Sequence, residues 1–203
     1  MEQIVSAVLD AVHRAGLVEV EVSARHVHLC QADVERLFGP GAKLEPVRPL
    51  SQPGQFLSEQ RVTLVGPKGR KERTAVLGPA RSATQVELSK SDCVELGVQA
   101  PLRESGDVAG SGAIAIEGPC GTIQLEEGVI VAHNHIHVTA PDSVMLDLHD
   151  KQRVKVAVLS ERPLTFDDVI IRVSTEFSCK MHIDFDEANA AMVHGFTLGR
   201  IIK

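Results

Sequence analysis

Aromatic side chains are scarce in this sequence. The 203 residues include no Trp, no Tyr and six Phe. Proteins that hold single-stranded nucleic acid stack its bases on aromatic rings, and nucleic-acid backbones attract basic surfaces. Because rings are few and the net charge is −6, nucleic-acid binding is not expected. An anionic substrate would need a local positive site, such as a metal ion or a well-placed arginine.

Cysteines and long apolar runs are also few. None of the four cysteines forms a CxxC pair, which argues against a disulfide framework and favours a reducing compartment with ordinary buried or half-exposed thiols. No apolar run approaches the ~20 residues that span a bilayer, and Glu2 and Asp10 interrupt the segment where a signal peptide would be unbroken. We therefore expect neither membrane insertion nor secretion.

Short strand-forming segments follow one another along most of the chain. Strands are predicted at residues 61–65, 74–77, 113–117, 122–125, 154–159 and 169–173, the first four joined in pairs by Gly-Pro-Lys-Gly and Gly-Pro-Cys-Gly turns. Short helices are predicted at 32–38, 90–96, 141–146 and 187–194, with Ser89 and Asp186 as N-caps. Residues 39–60, rich in Pro, Gly and Gln, are predicted to be irregular. The pattern indicates a mainly β fold of small barrels or sandwiches with short capping helices.

Residues 1–15 have the periodicity of an amphipathic helix that stops at Gly16. Its apolar stripe consists of Ile4, Val5, Val8, Leu9 and Val12. A helix of this length is marginal alone in water, so it needs an apolar partner. It is interpreted either as a helix packed on the protein's own body or as a detachable targeting peptide.

An internal repeat is the most informative feature of the sequence. VSARHVHLCQAD at residues 22–33 resembles VAHNHIHVTAPD at residues 131–142, with an offset of 109 residues. Further on, VELSKSD at 86–92 parallels MHIDFDE at 181–187, with an offset of 95 residues, so that Glu87 aligns with His182. The chain therefore consists of two related β units, each with three candidate metal ligands.

The ligand candidates share a spacing that suits a strand. Alternate residues of a strand lie on one face, so the two histidines of each His-x-His pair can converge on one ion while Val27 and Ile136 point into a core. Imidazole and carboxylate ligands suit zinc, and three protein ligands per ion leave an open position, as at catalytic zinc sites. The two sets are His26, His28 and Glu87, and His135, His137 and His182.

The other histidines and Arg81 differ in what the sequence predicts for them. His133, two residues before His135, is a candidate additional ligand or supporting group. His13, His149 and His194 are interpreted as surface residues. Arg81 is a candidate phosphate-binding residue, because a planar guanidinium binds phosphate through two hydrogen bonds and keeps its charge.

These motifs resemble those of a known family over nearly the whole chain. The matching segments are VSARHVHL at 22–29, LSQPGQF at 50–56, TLVGPKG at 63–69, LGPARS at 77–82, QVE at 85–87, HIH at 135–137 and MHIDFDEANAA at 181–191. The family is that of the phosphate propanoyltransferases of the propanediol-utilisation type, which are phosphotransacylases of bacterial microcompartments. The number, order and spacing of the motifs make the resemblance specific.

The resemblance implies two β-barrels capped by short helices, with a dinuclear zinc site between them whose ligands are the two sets of three residues above. It implies that Arg81 contacts phosphate and that Val22, Ser23, Lys68 and Asn189 contact coenzyme A. One barrel is expected to comprise residues 16–24 and 133–203, and the other residues 25–132 with an irregular insert at 39–60. Relatives often carry arginine where this chain has Asn134.

The expected activity is a reversible exchange of a short acyl group between coenzyme A and inorganic phosphate, with two zinc ions per chain. Direct attack by phosphate is favoured over an acyl-enzyme, because no obvious Ser–His or Cys–His nucleophile is present. A homodimer in a microcompartment lumen or the cytoplasm is expected, with residues 1–15 available to shell or core proteins. Two alternatives stay open: a dinuclear metallohydrolase, and a non-catalytic β module stabilised by metal.

Overall fold

The computed structural model describes residues 7–8 and 11–203, and these form a mainly β protein. In chain order the strands are β1 (Leu17–Val22), β2 (His26–Cys30), β3 (Pro46–Pro49), β4 (Phe56–Val65), β5 (Arg70–Arg81), β6 (Gln85–Glu87), β7 (Leu102–Arg103), β8 (Gly112–Glu117), β9 (Thr122–Ala132), β10 (His135–Val138), β11 (Arg153–Leu159), β12 (Leu164–Val173), β13 (Lys180–Ile183) and β14 (Leu198–Ile202). The helices are α1 (Gln31–Phe38), α2 (Lys90–Leu96), α3 (Ala140–Leu146) and α4 (Phe185–Ala190). None of the described helices is long and apolar enough to cross a bilayer.

The chain divides into two compact units, one of residues 1–23 and 133–203 and the other of residues 24–132. The first unit contains a closed barrel of strand order β1-β13-β10-β12-β11-β14. In the second unit β4, β5, β2, β6, β9 and β8 pair in a ring that closes from β8 back to β4, while β3 and β7 extend it at β4 and β9. The mainly β fold of two barrels with short helices is confirmed.

The two barrels have the same pattern of strand pairing. In each, the His-x-His strand pairs in parallel with a long strand, β5 or β12, and antiparallel with a short one, β6 or β13. The short strand then pairs in parallel with β9 or β1. The equivalent registers His26↔Glu87 and His135↔His182 place Glu87 and His182 at matching positions, as the repeat predicts.

Alternation along the strands separates the core from the candidate ligands. Val27 and Ile136, between the histidines of each pair, are completely buried, which confirms that they point into their cores. Around Val27 pack Leu29, Val76 and Val86, and around Ile136 pack Val20, Ile171 and Met181. Burying such side chains contributes about 1.5–3 kcal/mol each, so the opposite face of the same strands is held firmly for polar groups.

Both Gly-Pro-x-Gly hairpins of the second unit contact the end of a helix. The Lys68 amide donates to the Leu96 carbonyl at the end of α2, and the Cys120 amide donates to the Leu37 carbonyl near the end of α1, each at 3.0 Å. A Cβ on Gly66 would lie 2.2 Å from the Leu96 carbonyl oxygen, so the hairpin approaches the helix only without a side chain there. Glycine in these turns is thus required by packing.

Three local predictions were wrong. Residues 39–60 are not wholly irregular, because β3 and the first residues of β4 lie within them. The last helix begins and ends earlier than predicted, at Phe185–Ala190, and its N-cap is Asp184 instead of Asp186. Asp184 is the N-cap because its carboxylate accepts a hydrogen bond from the Glu187 amide. The Glu187 side chain accepts one from the Asp184 amide in return, which completes a capping box.

The N-terminal helix is described only in part. Residues 7–8 and 11–14 are helical, with Val8 exposed and Val12 half-buried. Ile4, Val5 and Leu9 of the predicted apolar stripe lie outside the described residues.

Candidate active site

The first set of candidate ligands is brought together in the second unit. His26 and His28 lie on β2, and Glu87 lies opposite His26 on β6. One potential ligand atom from each of the three residues lies within 4.8 Å of the other two. The Glu87 carboxylate is 3.4 Å from His26 Nε2 and 4.0 Å from His28 Nε2. We call this set the carboxylate triad.

The surroundings of the carboxylate triad favour the protonation states in which Glu87 and His28 can bind a metal ion. Burial would raise the pKa of Glu87, but the neighbouring His26 and His28, a Ser105 hydrogen bond and Arg81 outweigh burial and lower the pKa to about 2. Burial, with the nearby His26 and Arg81, lowers the pKa of His28 to about 2. Near neutral pH the carboxylate is therefore ionised and the His28 imidazole is neutral, which are the forms that bind a metal cation.

Two residues that the sequence did not suggest hold Glu87 in place. Ser105 Oγ donates to Glu87 Oε1 at 2.8 Å, and Gln85 Nε2 donates to the same oxygen at 2.6 Å. Arg81 at the end of β5 donates to Ser105 Oγ at 3.2 Å, so one hydroxyl joins Arg81 to the triad. Gln85 is two residues before Glu87 on one strand face and could have been noticed; Ser105 is in a loop with no motif.

The second set of candidate ligands lies in the first unit, and we call it the histidine triad. His135 and His137 lie on β10, and His182 lies opposite His135 on β13. The ring centroids are 4.7 Å apart for His135 and His137, 4.9 Å for His137 and His182, and 5.4 Å for His135 and His182. Among the described residues, the groups whose ligand atoms all fall within 4.8 Å do not include this triad. Its rings are neighbours, and those of His135 and His182 are stacked with an interplanar angle of 12°.

An aromatic ring covers one member of the histidine triad. Phe177 stacks on His137 with centroids 4.1 Å apart, and the Arg172 guanidinium lies 5.9 Å from the Phe177 centroid. Burial, followed by the nearby His135, His182 and Arg172, lowers the pKa of His137 to about 2. His137 is therefore a neutral imidazole near neutral pH, like His28 in the other unit.

The hydrogen bonds of the paired histidines fit a metal. His26 Nδ1 is 2.8 Å from the Ala24 carbonyl oxygen and His135 Nδ1 is 2.8 Å from that of His133. A carbonyl accepts only from N–H, so each Nδ1 carries a proton, and in the neutral form of each ring Nε2 is the atom that can bind a metal. Nδ1 of His28 and of His137 are buried without a hydrogen-bond partner in the described protein. The carboxylate triad offers two nitrogens and one oxygen as ligands, and the histidine triad offers three nitrogens. Both sets of ligand atoms suit zinc.

The residues predicted to contact coenzyme A fall in both units. Val22 is the last residue of β1 and Ser23 follows it, with Ser23 Oγ 3.5 Å from His182 Nδ1. Asn189 is exposed on α4 of the same unit. Lys68 is exposed in the hairpin between β4 and β5 of the other unit.

The remaining histidines divide into three kinds. His133 Nε2 is 3.2 Å from Asp168 Oδ2, so it is engaged outside the histidine triad. His149 and His194 are exposed, as predicted. The prediction for His13 was wrong, because its side chain is only 13% exposed and lies 3.6 Å from Asp142. Asn134 Nδ2 donates to the half-buried Glu187 carboxylate at 2.6 Å.

Comparison with known proteins yields consistent matches. The sequence model of the phosphate propanoyltransferase family matches residues 19–194. A phosphate propanoyltransferase of Clostridioides difficile strain 630 is 46% identical over 203 residues, which cover 100% of this chain and 97% of the relative. One of Leptotrichia buccalis is 51% identical over 180 residues, covering 89% and 84%. One of Thermotoga maritima is 50% identical over 185 residues, covering 91% and 88%.

Proposed function

This chain belongs to the phosphate propanoyltransferase family, and from that premise we propose that it moves a short acyl group between coenzyme A and inorganic phosphate with the help of two zinc ions. The carboxylate triad would hold one ion and the histidine triad the other. The observation that carries this proposal is the repetition of a ligand triad at equivalent register positions of the two barrels. A structural repeat that preserved only packing would not need a polar triad in both copies.

In the proposed reaction a phosphate oxygen attacks the thioester carbonyl of an acyl-CoA. A carbon–oxygen bond forms, the carbon–sulfur bond breaks, and coenzyme A leaves as a thiolate. The products are an acyl phosphate and coenzyme A, and the reverse reaction follows the same path. Zinc, when bound, supplies positive charge that stabilises the thiolate and the phosphate oxygens.

Phosphate binding is assigned to the unit that contains Arg81. The guanidinium can hold two phosphate oxygens through parallel hydrogen bonds, and it stays charged at every relevant pH. Its hydrogen bond to Ser105, which in turn donates to Glu87, fixes the cation beside the carboxylate triad. Arg81 therefore binds and orients the attacking phosphate, and that orientation lowers the entropic cost of the reaction.

Coenzyme A is assigned chiefly to the histidine triad. Its three ligands are imidazoles, so with neutral rings the protein brings no negative charge that would repel a thiolate. Val22, Ser23 and Asn189 belong to the same unit and are proposed to contact the cofactor. Lys68, an exposed cation in the other unit, is proposed to contact its phosphate groups.

An assay with acetyl-, propanoyl- and butanoyl-CoA tests the function and ranks the acyl chains. Release of free thiol should require phosphate, yield an acyl phosphate in equal amount, and stop after removal of metal by a chelator. Restoration by zinc is expected. Thiol release without phosphate would instead identify a metallohydrolase, and metal binding without any thiol release would identify a non-catalytic β module.

The location of the enzyme is a separate proposal. We propose that residues 1–15 direct the chain into a bacterial microcompartment, for which the exposed Val8 is one supporting feature. A chain lacking residues 1–15 should keep its activity but stay outside a compartment, and a reporter fused to residues 1–15 should enter it. A reporter that stays diffuse would contradict the proposal. The homodimer stays a prediction.

A further inference from the structure

A second kind of ligand cluster occurs in the first unit, apart from the histidine triad. His13 lies in the helical residues 11–14, Asp142 lies in the first turn of α3, and Cys179 directly precedes β13. One potential ligand atom from each residue lies within 4.8 Å of the other two. His13 Nδ1 is 3.6 Å from Asp142 Oδ1. A nitrogen, an oxygen and a sulfur from three separate segments thus lie close enough together to bind one ion.

The cluster is protected from solvent. The His13 and Asp142 side chains are 13% and 17% exposed, and Cys179 is buried. Asp142 Oδ2 accepts a hydrogen bond from Thr139 Oγ1 at 2.7 Å, which fixes the carboxylate and leaves Oδ1 toward His13. Burial, and then the Asp142 charge, raises the pKa of Cys179 to about 12, so the thiol by itself stays protonated. A cation held between the three groups would reverse that preference.

We propose that His13, Asp142 and Cys179 form a third metal site, for a zinc-type divalent ion, that joins residues 11–14 to the barrel of the first unit. Zinc accepts this combination of imidazole, carboxylate and thiolate. Binding would release the Cys179 proton to solvent as the sulfur–metal bond forms, and His13 would bind as a neutral ring. The fourth position is open to water. The site shares no residue with either triad, and its three ligands would link residues 11–14, α3 and the segment before β13.

Cobalt titration tests the site with a signal that the triads cannot give. A thiolate bound to Co²⁺ produces an intense near-ultraviolet charge-transfer band, whereas imidazole and carboxylate ligands do not. When Co²⁺ is added to the metal-free full-length chain, this band should appear. The Cys179→Ser variant should lack the band and bind one cobalt ion fewer. Cys120→Ser, which changes an exposed cysteine, is the matched control and should keep the band. Identical spectra for the wild type and Cys179→Ser would overturn the proposal.

His13→Gln provides a second test that avoids the buried cysteine. It should weaken cobalt binding at this site by at least ~10-fold, the scale seen when a group that supports a metal is removed. Acyl transfer by both variants should match the wild type, because neither residue belongs to the triads. If His13→Gln left the affinity at the thiolate band unchanged, the three-residue site would be wrong. The charge-transfer band does not depend on metal in the triads, so the proposed function and this site can fail separately.

Discussion

In both barrels a short antiparallel strand places one residue opposite the first histidine of the His-x-His strand. The two barrels carry different residues at that position. In the second unit it is Glu87, an ionised carboxylate, and in the first it is His182, an imidazole. The groups around the two triads also differ, and they are more polar around Glu87. Glu87 accepts hydrogen bonds from Ser105 and Gln85, whereas the histidine triad contacts the ring of Phe177.

The difference teaches how a duplicated barrel can acquire two chemical roles. The strand pairing holds the three positions in place whatever occupies them, because register and alternation come from the backbone and the core. One exchange, carboxylate for imidazole, then changes the charge of the site by one unit. A charged triad needs hydrogen-bond donors and a nearby cation to offset burial, and Ser105, Gln85 and Arg81 are those groups.

Removal of one ligand from each triad should give the largest effect. His28→Ala and His137→Ala should each lose about one zinc ion per chain, by the three-ligands-per-ion argument, and reduce turnover more than ~100-fold. Metal analysis alongside the phosphate-dependent assay checks this. Glu87→His and His182→Glu then exchange the third ligands. If both exchanged variants worked as well as the wild type, the difference in charge between the triads would have no functional meaning.

Substitution of Arg81 should affect the use of phosphate, which is assigned to the second unit, much more than the use of coenzyme A, which is assigned chiefly to the first. Arg81→Ala removes a charged, bidentate hydrogen-bonding group, which is worth about 1.5–3 kcal/mol, so the KM for phosphate should rise about 10- to 100-fold. The KM for coenzyme A should change little. Arg81→Lys should also suffer, because an ammonium cannot reproduce the planar fork. Arg172→Ala is the matched control in the other unit; an equal effect on the phosphate KM there would refute the assignment.

A serine lies near Glu87 in one triad and near His182 in the other, and substitution of these serines should give a smaller effect. Ser105 Oγ lies 2.8 Å from Glu87, whereas Ser23 Oγ lies 3.5 Å from His182. Ser105→Ala should therefore weaken zinc binding in its unit about 10-fold, and Ser23→Ala much less. Metal-binding titrations measure both. Turnover by Ser23→Ala should persist, since phosphate attacks directly; complete loss with zinc still bound would point to a seryl acyl-enzyme.

The last prediction concerns a property that the two units share. Burial lowers the pKa of His28 and of His137 to about 2, whereas an unfolded imidazole titrates near 6.5. Below pH 6.5 the unfolded chain gains protons that the folded, metal-free chain does not, so the free energy of unfolding falls as pH falls. The slope is at most about 1.4 kcal/mol per pH unit for each histidine.

Denaturant unfolding of chelator-treated protein between about pH 7 and pH 5 measures this slope. His28→Gln and His137→Gln should each flatten it by a similar amount, and the exposed His149→Gln should not. This range lies above the ordinary pKa of Glu87, 4.5, so the stability that its lowered pKa adds is still present. Unequal slopes would mean that the two pairs are not equivalent in burial.

The sequence by itself determined the features that depend on neighbouring residues. The His-x-His pairs, the buried residues between them, the Ser89 cap and the register of the repeat follow from alternation along a strand and from hydrogen bonds within one turn. The two related β units and the alignment of Glu87 with His182 were therefore predictable, whereas local patterns left barrels and sandwiches open and the resemblance to a family implied barrels. The resemblance to a family added the activity, which no local pattern contains.

Only the tertiary structure decided which distant groups meet. Ser105 reaches Glu87 across 18 residues, and Arg81 reaches Ser105 across 24. The proline-bounded strand β3 forms because β4 is beside it, although its own sequence lacks alternation. His13, Asp142 and Cys179 are separated by most of the chain, and each is unremarkable alone. Barrel closure brings such residues within ångströms of one another, and that closure depends on the sum of many weak contacts that no short segment encodes.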